Sequence, residues 1–389
     1  MLKGSDQVMK TVCKKDQCAG CMACVDICSK KAIQVVDSVV AYNAIIDENK
    51  CINCDACQKI CQENKPPVQL KPIDWKEGWA NEQEIREKAS SGGVATAIEL
   101  AFVNYGGTVC SCSLENGDFC FSFAQTKKEV EKFTGSKYVK SNPTGIYRKI
   151  LDKLKKGEKV LFVGLPCQVA AVKNFVGNRE NLYTIDLICH GTPSPKILER
   201  FLNDYQLKLD NARNIKFRVK SKFYLESDQK RFTVPTVVDN YLMTFLDSAS
   251  YTENCYECKY AKPERVSDIT LGDSWGSELA EDIQSKGVSL ILCQNEKGKA
   301  LLVQTDLHLL DVDLERAIKW NHQLRRPSVK PKQRNKLLKA ISSGKKFKRC
   351  IWISYPKRCT KNLIKTILYK TKIMRGGASK ILHSLYSAC

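Results

Sequence analysis

Two runs of cysteine set the chemistry. Cys18, Cys21, Cys24 and Cys28 are spaced C-x2-C-x2-C-x3-C, and Cys51, Cys54, Cys57 and Cys61 repeat the pattern. Three thiolates two residues apart on a tight loop can wrap three irons of one cubane, while the fourth cysteine opens a helix pointing elsewhere. In the bacterial two-cluster arrangement that fourth cysteine ligates the other cluster. The spacing therefore predicts one 4Fe-4S cluster on Cys18, Cys21, Cys24 and Cys61, and a second on Cys51, Cys54, Cys57 and Cys28. C-x2-C pairs also suit zinc. Two interlocked quartets favour iron–sulfur instead, and with it one-electron transfer. The proline common after each fourth cysteine is replaced by Ser29 and Gln62.

Further cysteines lie where strands run out. A strand over residues 159–163 leads into Gly164-Leu165-Pro166-Cys167-Gln168, and one over 182–188 leads into Cys189-His190-Gly191. Each loop is followed by a helix, so both belong to α/β units whose strand carboxyl ends are the usual ligand-binding edge. Cys255 and Cys258 sit in a loop-like stretch. With Cys167 and Cys189 they supply enough thiolates for one more cluster, although a single cysteine as readily packs as a buried side chain. Cys167 and His190 are the candidate catalytic groups, with a structural role the alternative for each. Ser90-Ser91-Gly92-Gly93 precedes an apolar helix over 94–104. Its backbone N–H groups offer either an anion site or an ordinary cap. Cys110, Cys112, Cys120, Cys293, Cys350, Cys359 and Cys389 have no partner at ligand spacing.

The elements that must position these groups imply an α+β ferredoxin-like two-cluster domain followed by an α/β flavin-binding domain and a basic, partly helical C-terminal tail. The expected divisions are 1–65 for the two-cluster domain, 66–80 for a linker marked by Pro66, Pro67 and Pro72, 81–314 for the α/β domain in two parts (81–175 and 176–314), and 315–389 for the tail. A chain of 389 residues, 43% hydrophobic and 27% charged, is neither disordered nor a multi-span membrane protein. Neither an N-terminal apolar leader nor a run long enough to cross a bilayer is evident, so the expected location is cytoplasmic, where thiols stay reduced. The net charge of +21 falls almost wholly after residue 314, where Glu315 is the sole acid. Leu363, Ile367 and Leu368, flanked by Lys361, Lys365, Lys370 and Lys372, fit a short amphipathic helix. It could lie on an anionic membrane surface at the inner face of the cell membrane, pack on the body, or be disordered. Nucleic-acid binding is disfavoured by the neutral body and the lack of a recognised motif.

Several blocks occur together: Ser90 to Gly93, Gly135-Ser136-Lys137-Tyr138-Val139, the Gly-Leu-Pro-Cys167 and Cys189-His190-Gly191 loops, Cys255-x2-Cys258, and Leu271-Gly272-Asp273-x-Trp275-Gly276. In order and spacing they resemble the coenzyme F420 (deazaflavin) hydrogenase/dehydrogenase beta-subunit family, carried behind a two-cluster ferredoxin domain. The resemblance implies an iron–sulfur flavoprotein oxidoreductase that binds FAD, with Ser90, Ser91, Gly92 and Gly93 at the pyrophosphate and Ser136 and Lys137 beside it. It also implies the later cysteines as cluster ligands near the flavin, and hydride exchange with a conjugated small molecule such as a deazaflavin coenzyme. An external protein would donate or accept the electrons. The alternative is a non-catalytic ferredoxin-type carrier that docks to a partner enzyme.

Overall fold

The computed structural model describes residues 9–371. Met1, Lys372 and Cys389 lie outside the described residues. The N-terminal lobe repeats one small unit: helix α1 (Ala23–Ile27) and strand β1 (Ile33–Asp37), then strand β2 (Tyr42–Ile46) and helix α2 (Ala56–Ile60). β1 and β2 pair antiparallel, Ile33 opposite Ile46 and Asp37 opposite Tyr42. Helices this short are unstable alone. Here the flanking backbone fixes them, since Met22 and Asp55 enter them at φ 60° and 56° and Cys28 and Cys61 leave in extended conformation.

The body is a mixed α/β fold. Its first half runs β3 (Asp74–Ala80), α3 (Gln83–Lys88), α4 (Val94–Asn104), β4 (Thr108–Glu115), β5 (Asp118–Ala124), α5 (Lys127–Val130), α6 (Ile146–Lys155), β6 (Val160–Gly164), α7 (Pro166–Val176) and β7 (Leu182–Leu187). There follow α8 (Pro195–Asn203), β8 (Lys216–Val219), β9 (Lys222–Ser227), β10 (Lys230–Arg231), α9 (Asn240–Leu246), β11 (Ile269–Asp273), α10 (Glu281–Ser285), β12 (Ser289–Cys293), α11 (Glu296–Val303) and β13 (Leu307–Asp311). The chain closes with α12 (Leu314–Trp320), α13 (Gln333–Ser342), α14 (Phe347–Ser354) and α15 (Pro356–Lys370).

Among the described residues the main sheet has eight strands, in the order β13-β3-β12-β11-β7-β6-β4-β5. The centre, β11-β7-β6-β4, is parallel, and antiparallel strands flank it on both sides. β6 is buried throughout because helices cover both faces. Val160 and Phe162 share a core with α6 and α7, whereas Leu161 and Val163 share one with α4. The period of two thus splits one apolar strand between two cores.

The structure moves three of the expected boundaries. Residues 74–80 are not linker but strand β3, paired with both β12 and β13; Asp74, Lys76 and Glu77 interrupt Trp75 and Trp79, so no apolar run marked them. A division at 175 would cut the sheet between β6 and β7, which pair along their whole length. The basic segment is no separable tail from 315 either. Leu337, Ile341, Phe347, Cys350 and Ile351 enter the same core as Phe201 and Tyr241, and the buried Arg334 donates to the Ala249 and Tyr251 carbonyls at 2.9 and 2.7 Å.

Candidate functional site

The two N-terminal cysteine loops have matching backbones. Gly20 and Asn53 occupy equivalent positions at φ 68° and 54°, and each turns its N–H back onto the preceding thiol, Gly20 onto Cys18 Sγ and Asn53 onto Cys51 Sγ, both at 3.4 Å. Such N–H to sulfur bonds stabilise a thiolate. Cys28, Cys51, Cys54 and Cys57 line one pocket together with Lys10 and Ile52, and Cys54 is exposed. Cys61 is buried in the small core with Cys18 and Cys24, against which Cys28, Cys51 and Cys57 also pack. Cys18, Cys24 and Cys61 all lie within electrostatic reach of Cys21, and Cys24 in turn lies within reach of Cys57. Burial pushes the Cys21 and Cys24 thiols up. Cys13, which sequence reasoning missed, touches both Cys18 and Cys61; its hydrogen bond pulls Cys61 down to about 7.

A third group forms at the carboxyl edge of β6 and β7. Cys167 lies in the first turn of α7, not in the loop before it, because Pro166 starts the helix at once. Cys189 follows β7, and Cys255 and Cys258 stand at a short turn over Glu253–Glu257 and its end. All four line one pocket with Lys140, His190 and Tyr260. Burial pushes the Cys167 thiol up to about 12, against the pull of Lys140, and raises Cys189 as well, with Cys255 adding. Among the described residues no three His, Cys, Asp or Glu side chains converge tightly enough to hold a single metal ion. A cubane takes its thiolates on separate irons, so its ligands stand wider apart than those of one zinc.

The group around Cys18, Cys21, Cys24 and Cys61 and the group around Cys167 are joined by residues that no motif announced. The Tyr147 hydroxyl donates to the Cys21 carbonyl at 2.5 Å. Tyr260 reaches the Gln62 side chain at 2.6 Å, and Cys21 and Cys167 both lie within electrostatic reach of these tyrosines. Lys140 is 5% exposed. Its ammonium donates to the Ala19 carbonyl at 3.0 Å, lies 5.1 Å from the Tyr42 ring centre, and acts on both Cys18 and Cys167. The Asp26 carboxylate accepts the N–H groups of Gly145 and Tyr147 at 2.8 and 3.3 Å, at the start of α6. Cys21, Ala23 and Ile60 share one apolar core with Tyr147, Val169 and Tyr260.

The proposed flavin residues are placed less simply. Gly93 (φ 85°) leads into α4 with no side-chain cap, so the first-turn N–H groups lack a side-chain acceptor. The Ser90 and Ser91 hydroxyls are already engaged, Ser90 by the Ser136 N–H at 2.9 Å and Ser91 with the Val288 carbonyl at 2.9 Å. The Gly92 N–H donates to Ser289 Oγ at 3.0 Å. Lys137 caps the Phe133 carbonyl at 2.6 Å instead of facing outward, and lies within electrostatic reach of the buried Glu99, whose carboxyl burial pushes up to about 8. His190 is exposed at the pocket mouth. Crowding by protein atoms, with His322 beside it, still pushes its imidazole down to about 4, and Nδ1 lies 2.7 Å from the Gln323 amide nitrogen. The amide N–H donates to Nδ1, so the neutral ring carries its proton on Nε2 and offers that N–H as a hydrogen-bond donor, and a group pushed this far down is a weak base at pH 7.

Comparison with known proteins bears on the body. Residues 76–145 match the N-terminal part, and residues 157–309 the C-terminal part, of the family described as "Coenzyme F420 hydrogenase/dehydrogenase, beta subunit". No curated protein matches the chain. Among solved structures, a chain of the F420-reducing NiFe hydrogenase complex from Methanosarcina barkeri is similar at 18% identity and a TM-score of 0.46, covering 68% of this chain and 98% of that one.

Proposed function

The chain belongs to the coenzyme F420 hydrogenase/dehydrogenase beta-subunit family, and from that premise we propose that it is an iron–sulfur flavoprotein oxidoreductase in which three 4Fe-4S sites lead to FAD. The observation that carries this reading is the series of three thiol quartets. The outer one is Cys28, Cys51, Cys54 and Cys57, the middle one Cys18, Cys21, Cys24 and Cys61, and the inner one Cys167, Cys189, Cys255 and Cys258. Four sulfur donors in each suit a cubane. The exposed Cys54 suits the outer quartet to an external protein donor or acceptor. Tyr147 and Tyr260 fill the space between middle and inner quartets and exclude water from it, both being buried.

FAD, when bound, supplies the exchange between single electrons and a hydride. The uncapped first turn of α4 would hold its pyrophosphate through backbone N–H groups. Lys220 keeps that approach in shape, donating to the Ala89 and Ser91 carbonyls at 2.9 and 3.0 Å. Ser90, Ser91, Ser136 and Lys137 act behind it by fixing the loop. Cys167 is read as an inner-quartet ligand in preference to a free nucleophile, and the neutral His190 as an Nε2–H hydrogen-bond donor at the pocket mouth. The substrate class remains a conjugated hydride acceptor or donor, a deazaflavin included.

Anaerobic reconstitution of the full chain tests this. About twelve irons per chain and extractable FAD are expected, from three cubanes of four irons. Replacing Cys167 and Cys189 by Ala should leave about eight irons and the signals of the two N-terminal clusters. Eight irons in the parent protein, with no flavin, would instead make the chain a ferredoxin-type carrier.

A further inference from the structure

Helix α15 is anchored at its start. Tyr355, at its N-cap, donates to Asp247 Oδ2 at 2.7 Å, Arg358 pairs with the same carboxylate at 3.1 Å, and Cys359 is the helix's one buried residue. Beyond that turn the helix leaves apolar side chains uncovered. Leu363, Ile364 and Ile367 are 50%, 52% and 52% exposed, and with Leu368 they fall at i, i+1, i+4 and i+5, on one face. The neighbouring α14 adds Trp352 and Ile353, 39% and 45% exposed. Single exposed apolar residues are ordinary, but a cluster of this size in a basic surround marks an interaction surface.

The charges say of what kind. Lys357, Lys361 and Lys365 follow at i, i+4 and i+8, along the flank of the apolar face, and make no ion pair among the described residues. From residue 316 onward the sequence contains no Asp or Glu at all. A nucleic acid would use the lysines but not the leucine and isoleucines, and a hydrophobic protein partner would use the reverse. An anionic bilayer surface uses both, taking the apolar side chains at the acyl boundary and the ammonium groups among the headgroups. No helix among the described residues is long and apolar enough to cross a membrane, so the contact is with the surface. We infer that the exposed face of α14 and α15 docks the protein onto an anionic membrane surface.

The test is co-sedimentation of the full-length protein with vesicles of phosphatidylglycerol and phosphatidylcholine, against phosphatidylcholine alone. The parent should pellet only with the anionic vesicles, and less so as salt is raised. A variant carrying Leu363→Ser, Ile364→Ser and Ile367→Ser, and another carrying Lys357→Gln, Lys361→Gln and Lys365→Gln, should each bind about a hundredfold more weakly. Five of these six side chains are exposed and Lys365 is half-buried, and unchanged circular dichroism and Tm will show that both variants fold. Brominated lipid should quench the parent's fluorescence, and Trp352→Phe should lose that quenching. Equal binding by parent and both variants, equal binding to neutral vesicles, or retention by duplex DNA without vesicle binding would each overturn the inference.

Discussion

Lys140 sets its side-chain nitrogen between two of the thiol quartets, donating to the Ala19 carbonyl, and on the proposed reading a cation there would favour the reduced, more negative state of a cluster on either side. Lys140→Met, which keeps the length and removes the charge, should lower the midpoint potentials of the middle and inner clusters by on the order of 50 mV, while Lys140→Arg holds them near the parent's. Potentials followed by electron paramagnetic resonance decide it; an unmoved pair of potentials in the Met variant would reject the electrostatic role. Glu99 yields a prediction about pH. Burial lifts its carboxyl to about 8 in the folded protein, so between pH ~4.5 and ~8 the unfolded chain has released a proton that the folded chain retains. Stability therefore falls as pH rises through that window. Relative to the parent, Glu99→Gln should gain in Tm on going from pH 5 to pH 8, and a constant difference across that range would count against it.

At the scale of elements, the loop before α4 owes its glycine to packing. A Cβ on Gly92 would lie 2.5 Å from the Gly78 carbonyl oxygen and 2.9 Å from the Ser289 nitrogen, where β3 and β12 close on the loop. Gly92→Ala should cost about 1–3 kcal/mol, measured by chemical denaturation. A stable variant that had lost only flavin would show instead that the glycine serves the ligand. The strands β6 and β7 and helix α4 were legible in the sequence because each is a largely apolar run beside a glycine-containing loop, and the two cysteine loops because their spacing is dictated by chemistry. β3 was not, since Asp74, Lys76 and Glu77 conceal a strand flanked by partners far along the chain. Helices α13 and α14 were hidden for a different reason: they sit in a segment with many basic side chains and no acid, which reads as a solvated tail, while Leu337, Phe347 and Cys350 do the packing. Lys140, Tyr147 and Tyr260 were illegible because only the tertiary fold brings them to cysteines more than a hundred positions away.

For the molecule as a whole, the proposed reading makes the three quartets a path whose outer end carries the exposed Cys54. Cys54→Ser should impair electron exchange with a protein donor at the outer quartet, while a small reductant such as dithionite still reduces the inner cluster. Stopped-flow absorbance with each reductant separates the two. Equal rates from the protein donor in parent and variant would place its docking elsewhere. The docking of the N-terminal lobe depends on polar contacts as well as the shared core: Asn174 donates to the Lys65 carbonyl at 2.8 Å, Ser194 to Asp37 at 2.6 Å and Lys196 to the Asp37 carbonyl at 2.7 Å.

That shared core bears on how such a protein can be re-engineered or can diverge. Cys21, Ala23 and Ile60 are packed among side chains of α6 and α7, so the lobe is not a cartridge that can be unplugged and exchanged for another ferredoxin. A graft would have to carry the matching faces of α6 and α7 with it. Change of electron donor is then expected to come through substitutions on the outer surface around Cys54, leaving the inner face of the lobe and the body to vary only together.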